Sequence, residues 1–238
     1  GMNDKVLVVT PTYNEAENIN HYCNAILDLN LDLLIVDDCS PDKTYEIIQE
    51  LQKKNKKLFM ILRSEKKGLG SAYKEGFEWA LNQNYDFIVE MDADFSHRIE
   101  DLERMLLNKN AADLILGSRY IDGGGSHGWD IKRKTLSYVA NLVTKIIIGT
   151  DVRDLTTGFR IYKSEKLKQT NFNNIKSDGY SFQIEMVNLF LKKTYTILEV
   201  PIIFYERRLG KSKMNYTIII EAFTTLFSLF LNRFKNEN

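Results

Sequence analysis

Short apolar runs alternate with longer amphipathic stretches along the first half of the chain. The apolar runs cover residues 5–10, 32–38, 58–63, 86–92 and 112–118, and each one ends in a polar or acidic cluster. Helical patterns fill the intervals, over residues 15–29, 44–54, 70–82 and 99–108. Strands that are apolar on both faces and alternate with helices predict an α/β fold, with a mostly parallel central sheet flanked by helices.

The segments that follow three of these strands are rich in polar and acidic residues. They read TPTYNEAENI, VDDCSPDKT and MDADFSH. Ligands of open α/β sheets bind in the crevice outside the carboxyl ends of the strands. We therefore expect residues 10–15, 37–42 and 92–97 to face one cleft. Turn formation and helix capping are the alternative interpretation of each segment taken alone.

The first two segments carry candidate groups for a nucleotide. Asp38 lies at the tip of a predicted strand, where a carboxylate can accept hydrogen bonds from a base or a ribose. Pro11, Tyr13 and Glu15 can form a wall and a polar edge for the same group. The first strand is not followed by G-x-G-x-x-G, and G-x-x-x-x-G-K-[ST] is absent, so a dinucleotide Rossmann site and a P-loop are disfavoured. The phosphates of a bound nucleotide must then be bound by something other than a glycine-rich loop.

The third segment can bind phosphates through a metal ion. Asp92 and Asp94 are separated by Ala93, so both carboxylates can serve one metal ion only if the chain turns at the strand end. Oxygen ligands suit Mg²⁺ or Mn²⁺, which bridge diphosphates. We expect one acid to bind the metal directly and the other to act through water or ribose. His97 either belongs to this loop or caps the next helix.

The net charge and the cysteine count limit the kinds of partner and of metal site that the chain can have. The chain has 238 residues, and its 32 basic and 32 acidic residues cancel, so no bulk field favours a nucleic-acid partner. Cys23 and Cys39 have no spacing typical of a metal clip or a disulfide framework. The low cysteine count and the lack of a secretory signal pattern predict a cytoplasmic protein.

Two apolar stretches bear on membrane contact. Residues 136–149 have the pattern of an amphipathic helix, and residues 214–234 form a long apolar stretch that is interrupted by Glu221. A spanning helix needs about 20 mainly apolar residues. The second stretch is therefore predicted to lie in a membrane interface or to dock on a partner helix, with packing on the core as the alternative. The predicted organisation is one catalytic domain over residues 2–213 and a C-terminal apolar helix over residues 214–238.

Several motifs carry a family resemblance. In order, the chain contains PTYNE, VDDCSPDKT, KGLGSAYKEGF, MDADFSH, GSRYIDGGGSHGWDIKRK, DLTTGFRIYK and ERRLGKSKM. This series resembles the catalytic subunits of the dolichyl-phosphate mannose synthases, within the family 2 glycosyltransferases of GT-A fold. The resemblance covers roughly residues 5–215. The departures, Lys43 for a usual Gly and Thr157 for a usual Ser or Gly, affect turn geometry only.

The resemblance implies a reaction. A sugar, most simply mannose from GDP-mannose, passes with inversion to the phosphate of a polyprenol or dolichol, and the protein works at the cytoplasmic face of a membrane. Asp94 is expected to be catalytic through the metal. Arg119 is expected at the nucleotide sugar, together with Pro11, Tyr13, Glu15, Asp38, Asp92 and Ala93.

The acceptor side follows from the same resemblance. Arg133, Arg207 and Lys213 are expected to be catalytic by holding the lipid phosphate. Arg160 is expected to bind a ligand or to brace the cleft. A small membrane-protein partner is compatible with the resemblance. Two alternatives stay open: a UDP-sugar donor such as UDP-glucose, and a non-catalytic subunit that only binds nucleotide sugars.

Overall fold

The computed structural model describes residues 3–207 and six positions near the C-terminus, 224, 227, 228, 231, 232 and 235. Lys213 and nearly all of the predicted helix over residues 214–238 lie outside the described residues. The predicted boundary at residue 213 therefore stays a prediction. Among the described residues, no helix combines the length and the apolar character needed to cross a membrane.

Helices and strands alternate over residues 6–118, as the hydrophobic pattern predicts. Their bounds, in chain order, are β1 (Val6–Thr12), α1 (Ile19–Leu27), β2 (Asp32–Asp37), α2 (Thr44–Gln52), β3 (Leu58–Leu62), α3 (Leu69–Leu81), β4 (Phe87–Glu90), α4 (Ile99–Leu107), β5 (Leu114–Ser118), β6 (Gly125–His127), α5 (Ile131–Ile148), β7 (Arg160–Lys163), α6 (Ser164–Lys168), a 3-10 turn (Phe172–Asn174), α7 (Gly179–Lys192), β8 (Ile197–Pro201) and β9 (Ile203–Tyr205).

Seven strands form the central sheet, in the order β3-β2-β1-β4-β7-β5-β8. The pairs β1–β2, β2–β3, β1–β4 and β5–β8 are parallel, which confirms the mostly parallel sheet. β7 is the exception, because it runs antiparallel to both β4 and β5. The hydrophobic pattern did not predict this strand, since it has only four residues and follows a turn-like segment directly.

Helices cover both faces of the sheet. Successive residues of β1 point to opposite sides, so Leu7 and Val9 pack in one core cluster and Val8 packs in the other. Full burial of such a side chain is worth about 1.5–3 kcal/mol. The approach of α3 to the sheet requires a glycine, because a Cβ at Gly76 would lie 2.6 Å from Cγ1 of Val9. The two layers fix β1, β2 and β4 so that their carboxyl ends meet at one edge.

A small second sheet lies at that edge. β6 and β9 pair in parallel, and the backbone N–H of Tyr205 donates to the carbonyl of Ser96 at 3.0 Å. The N–H of Ile203 donates to Oδ2 of Asp101 at 3.1 Å. These bonds attach the second sheet to the loop that follows β4 and to the start of α4. α5 begins four residues after β6 and carries the predicted amphipathic stretch, starting earlier than the pattern indicated.

Candidate functional site

A cleft of about 380 Å³ opens at the carboxyl ends of β1, β2 and β4. It brings together residues that are far apart in sequence, as expected for the crevice edge of an α/β sheet. The lining comprises Pro11, Thr12, Tyr13, Glu15, Asp38, Lys66, Gly68, Leu69, Ala72, Asp92, Ala93 and Asp94. All seven residues that the sequence assigns to the first, second and third strand ends are therefore neighbours. Their individual roles remain predictions.

The two acids at the end of β2 have different surroundings. Asp37 is fully buried and accepts hydrogen bonds from the hydroxyls of Thr12 and Ser40, both at 2.7 Å, so it shapes the turn. Asp38 lines the cleft, and its Oδ1 lies 2.8 Å from Nε of Arg63. Burial raises the pKa of the Asp38 carboxyl, while the charge of Arg63 opposes this rise. Arg63 therefore orients the Asp38 carboxylate without lining the cleft itself. The sequence gives no signal that Arg63 would be the partner of Asp38.

One cation of the cleft was not predicted. Lys66 lies in the loop before α3, and its Nζ is 4.1 Å from the centroid of the Tyr13 ring. A cation over an aromatic face contributes about 0.5–1 kcal/mol at an exposed site. Because the sequence around Lys66 has several lysines, its position in the cleft could not be singled out from spacing. It is the residue of this loop that adds positive charge beside the candidate nucleotide groups.

The loop after β4 makes the turn that the paired acids require. Phe95 adopts a left-handed backbone with φ of 63°, and the N–H of Ser96 donates to Oδ1 of Asp94 at 3.0 Å. Asp92 and Asp94 lie beyond the end of β4, where the chain bends over residues 93–97, and both line the cleft in spite of their spacing. Within the described chain, no group of three or more His, Cys, Asp or Glu side chains could hold a metal ion. The two carboxylates still fit Mg²⁺ or Mn²⁺, because these ions are commonly bound by one or two carboxylates plus substrate phosphates.

His97 holds this loop through a contact with the backbone of Asp92. It is buried, and its Nδ1 accepts a hydrogen bond from the backbone N–H of Asp92 at 3.1 Å. Its ring stacks on Phe159, with centroids 4.6 Å apart. Burial lowers the pKa of His97 to about 4, so the imidazole is neutral near neutral pH and carries its proton on Nε2. The capping alternative is wrong, because Arg98 is the N-cap residue of α4.

A second cavity of about 200 Å³ adjoins the cleft. Its lining comprises Leu69, Asp92, His97, Arg119, Thr156, Thr157, Gly158, Gly179, Tyr180, Gln183 and Phe204. Leu69 and Asp92 line both cavities, so these two residues lie where the cavities meet. Sequence reasoning missed Tyr180 and Gln183, since a helix start with ordinary polar residues gives no signal of a ligand site.

Arg119 lines the second cavity but is held by the protein itself. Its Nε donates to Oδ2 of Asp154 at 2.8 Å, and its Nη2 donates to Oδ1 of Asp154 at 2.9 Å and to Oγ1 of Thr156 at 3.0 Å. Burial disfavours the charged guanidinium, yet the pKa of Arg119 is raised because Asp154 pairs with it. The guanidinium nitrogens that would bind a phosphate are therefore already hydrogen-bonded to the Asp154 carboxylate. The predicted contact of Arg119 with the nucleotide sugar remains untested.

Arg160 is a brace rather than a ligand-binding cation. It is fully buried, and its guanidinium donates to the carbonyls of Leu155, Thr157 and Gln183 at distances between 2.8 and 3.0 Å. These bonds tie the loop before β7 to α7. Because that loop supplies Thr156 and Thr157 to the second cavity, Arg160 fixes the wall of the cavity without reaching its interior.

The predicted acceptor cations lie at the ends of the small sheet. Nη1 of Arg133 is 3.1 Å from Oε2 of Glu206, and the indole N–H of Trp129 donates to the same oxygen at 3.1 Å. The Arg133 guanidinium lies 4.4 Å from the Trp129 ring centroid. Arg207 is exposed, and its Nε donates to the carbonyl of Phe95 at 3.3 Å. Glu206 thus holds Arg133, Arg207 contacts the loop that follows β4, and Lys213 lies outside the described residues.

Comparison with protein families and curated proteins shows what this chain is similar to. Residues 7–170 match the model of glycosyl transferase family 2. The chain is 40% identical over 220 residues to undecaprenyl-phosphate mannosyltransferase of Micrococcus luteus, covering 92% of this chain and 90% of that protein. It is also 40% identical over 227 residues to polyprenol monophosphomannose synthase of Mycolicibacterium smegmatis, covering 92% of this chain and 84% of that protein.

Solved structures share the fold at lower identity. A mannosyltransferase from Pyrobaculum calidifontis in complex with GDP-Man and Mn²⁺ has a TM-score of 0.60 at 16% identity, over 94% of this chain and 64% of that one. Glucosyl-3-phosphoglycerate synthase from Mycobacterium tuberculosis, in complex with Mn²⁺ and UDP-glucose, has a TM-score of 0.68 at 18% identity, over 96% of this chain and 79% of that one. These similarities confirm the expected GT-A-like architecture.

Proposed function

The chain belongs to glycosyl transferase family 2, and we propose that it transfers mannose from GDP-mannose to the phosphate of a polyprenol, with inversion at the anomeric carbon. Two proteins that are named as an undecaprenyl-phosphate mannosyltransferase and a polyprenol monophosphomannose synthase each share 40% identity with this chain over most of its length, which supports mannose as the sugar and a polyprenyl phosphate as the acceptor. The structural observation that carries the proposal is the position of Asp92. This residue lines the nucleotide cleft and the second cavity, so a donor and an acceptor can meet there.

The first cleft is the proposed donor site. Asp38, oriented by Arg63, and the wall formed by Pro11 and Tyr13 suit a nucleoside, while Asp92 and Asp94 would hold Mg²⁺ or Mn²⁺. The metal, when bound, neutralises the leaving diphosphate. Lys66 adds a positive charge at the same cleft. Mn²⁺ in the complexes of two structural neighbours supports a divalent metal here, without fixing its identity.

The acceptor chemistry requires no general base. A phosphate monoester is anionic near neutral pH, so its oxygen attacks without first losing a proton. The second cavity agrees with this, because burial lowers the pKa of its histidine, His97, to about 4, which makes it a weak base, and its Nδ1 already accepts a hydrogen bond from the Asp92 backbone. Catalysis would then depend on position and on electrostatic stabilisation of the leaving group. Inversion follows from a single displacement at the anomeric carbon.

Arg133 and Arg207 are proposed to hold the acceptor phosphate near the mouth of the second cavity, with Lys213 as a third cation. The contact of Arg133 with Glu206 shows that the guanidinium already engages an anionic oxygen at this position. A phosphate would compete with this carboxylate for the same donors, including the Trp129 indole. Guanidinium groups suit the role because their fork matches two oxygens of a phosphate.

The lipid acceptor implies work at a membrane surface. The phosphate of a polyprenol lies among the headgroups of a bilayer, so the mouth of the second cavity must approach them. We propose that the protein is peripheral on the cytoplasmic face, and that residues 214–238 lie in the interface or dock on a small membrane-protein partner. The basic and acidic residues of the chain cancel, so no bulk field favours nucleic acid as a partner.

A donor panel tests the proposal. The purified protein is incubated with a polyprenyl phosphate, Mg²⁺ or Mn²⁺, and GDP-mannose, GDP-glucose, UDP-glucose or UDP-galactose in turn, and lipid products are identified by mass spectrometry. We expect transfer from GDP-mannose to exceed transfer from each UDP-sugar. Transfer from UDP-glucose alone would reassign the donor, and binding of GDP-mannose without any product would identify a non-catalytic subunit.

A further inference from the structure

A third cavity lies beside α5, apart from the two cavities of the site. It has a volume of about 250 Å³ and is lined by Tyr120, Tyr138, Leu142, Lys145 and Arg153. We call it the α5 groove. Arg153 is exposed and Lys145 is half-buried. In the part of the chain that the structure describes, neither cationic side chain forms an ion pair. The carboxylate of Glu199 accepts hydrogen bonds from the backbone N–H of Arg153 and not from its guanidinium.

The groove borders an exposed apolar stripe on α5. The side chains of the stripe recur at helical spacing on one side of the helix. They are Ile131 at 83% exposure, Tyr138 at 54%, Val139 at 44%, Leu142 at 42% and Ile146 at 69%. Tyr138 and Leu142 belong to both the stripe and the groove. Apolar side chains therefore continue directly from the two cations to the outer surface of the helix.

The charges of α5 have one sign. Its 18 residues include Lys132, Arg133, Lys134 and Lys145, and no Asp or Glu. An exposed apolar stripe flanked by cations is the pattern of a helix that lies in the interface of an anionic membrane. A second protein surface or the C-terminal segment of this chain could cover the apolar stripe. The C-terminal segment, residues 214–238, has only Glu221 and Glu237 as acids, so it offers little charge for the groove.

We propose that the α5 groove is a headgroup site for an anionic phospholipid of the bilayer. The phosphate of the headgroup lies between Lys145 and Arg153, and its acyl chains follow Tyr138 and Leu142 onto the apolar stripe. Tyr120 and Tyr138 suit this depth, because tyrosine rings favour the boundary between headgroups and acyl chains. The inference rests on the proposed use of a lipid acceptor, whose phosphate lies at the same boundary.

The groove is adjacent to the second cavity but separate from it. Arg119 lines the cavity, the next residue, Tyr120, lines the groove, and the Tyr120 hydroxyl is hydrogen-bonded to Ser137 of α5. Arg153 likewise precedes Asp154, which pairs with Arg119. A phospholipid in the groove would therefore hold the bilayer surface beside the mouth of the second cavity. The bound phospholipid is a positional anchor and not the sugar acceptor.

Vesicle binding tests the site with two matched controls. The full-length protein and the double variant Lys145→Gln/Arg153→Gln are sedimented with vesicles of phosphatidylcholine, with and without phosphatidylglycerol. We expect the variant to bind anionic vesicles at least tenfold more weakly, because each basic residue near such a surface strengthens binding about fivefold. The variant Lys54→Gln/Lys56→Gln loses the same charge next to β3, at the opposite edge of the sheet, and should bind like the wild type.

The second control separates a defined site from diffuse attraction. Lys132→Gln/Lys134→Gln removes two exposed cations from α5 and leaves the groove intact. We expect titration with a water-soluble short-chain phosphatidylglycerol to show saturable binding to this variant and to the wild type. The variant Lys145→Gln/Arg153→Gln should show no saturable binding of this lipid. Short-chain phosphatidylcholine should bind to none of the three proteins. Equal losses in both α5 variants, or no saturable binding to the wild type, would overturn the proposal.

The test does not depend on catalysis. Binding to vesicles and to short-chain lipid is measured without nucleotide sugar, so an error in the proposed transferase activity would leave these results unchanged. A folded groove variant is confirmed by an unchanged circular dichroism spectrum and thermal midpoint, as expected for side chains at the surface. Wild-type binding to neutral and anionic vesicles with equal affinity would also contradict the proposal, since it would assign membrane contact to apolar burial alone.

Discussion

The backbone N–H of Asp92 donates a hydrogen bond to Nδ1 of His97 at 3.1 Å, from inside the turn that carries both candidate metal ligands. This bond fixes the tautomer of neutral His97 that carries its proton on Nε2. It also holds the backbone of Asp92, and so the position of the Asp92 side chain. The histidine therefore acts as a support of the metal loop. It explains why the motif reads MDADFSH, with the ring five residues after the acid that it supports.

The first prediction concerns this support. His97→Phe keeps an aromatic ring against Phe159 but removes the acceptor, so the half-buried Asp92 loses this hydrogen bond of its N–H. The loss of one such hydrogen bond costs about 0.5–1.5 kcal/mol. We expect lower stability in urea and weaker Mn²⁺ binding in the presence of GDP. His97→Asn retains an acceptor close to Nδ1 and should bind Mn²⁺ better than the Phe variant; the reverse order would refute the supporting role.

The second prediction concerns the metal ligands. Asp94→Ala should abolish transfer while the protein remains folded, because the carboxylate faces the open cleft and contributes little to packing. Product formation with Mg²⁺ and with Mn²⁺ is measured beside circular dichroism. Glu103→Ala, which removes an exposed carboxylate from the neighbouring helix α4, is the control and should be fully active. Near-normal turnover of Asp94→Ala with either metal would show that this acid is not a ligand.

The strand ends were predictable because their chemistry is local. Continuous apolar runs such as residues 32–38 identify buried parallel strands, and the carboxyl ends of such strands meet at one edge whatever the helices do. Tyr13, Asp38 and Asp94 could therefore be assigned to one cleft from sequence alone. A turn at the strand end was also required by the spacing of Asp92 and Asp94, and the chain bends there over residues 93–97.

The second cavity was not predictable, because tertiary contacts create it. Gln183 reaches it only because α7 packs beside β7, a four-residue strand whose pattern is too short to recognise. The engagement of Arg119 by Asp154 joins residues 35 positions apart and follows no sequence period. A conspicuous basic residue could thus be identified from a motif, but its partner could be identified only from the fold.

The third prediction concerns the acceptor phosphate. Arg133→Ala should raise the KM for polyprenyl phosphate about 10- to 100-fold, since a hydrogen bond to a charged group contributes about 1.5–3 kcal/mol. The affinity for GDP-mannose, measured by calorimetry, should be unchanged. Lys134→Ala removes the neighbouring exposed cation and should leave both values close to those of the wild type. An equal loss of donor affinity in Arg133→Ala would move this residue to the donor site.

The fourth prediction concerns pH and Glu90. Burial raises the pKa of this fully buried carboxyl to about 7 from its ordinary value of 4.5, although the charge of Arg160 opposes the rise. Between these two pH values the folded protein retains a proton that the unfolded chain releases. This group therefore lowers the free energy of unfolding as the pH rises through the interval, and the full cost is present above it.

Glu90→Gln removes that titration. Relative to the wild type, the variant should gain stability between pH of about 5 and about 8, by an amount on the order of 2 kcal/mol. Urea unfolding at several pH values measures the difference. The comparison cancels the opposite contribution of His97, whose lowered pKa makes stability rise with pH in both proteins. Parallel stability curves for the two proteins would show that Glu90 is ionised in the folded state throughout this range.

The most direct test of the proposed function is the structure of the lipid product. The purified full-length protein is given GDP-mannose, a short-chain polyprenyl phosphate and Mg²⁺, and the product is examined by mass spectrometry and by NMR of the anomeric centre. The proposal predicts a mannosyl phosphate lipid with inverted, β configuration, formed together with one equivalent of GDP and absent for Asp94→Ala. A product that retains the α configuration, or release of GDP without any mannosylated lipid, would contradict it.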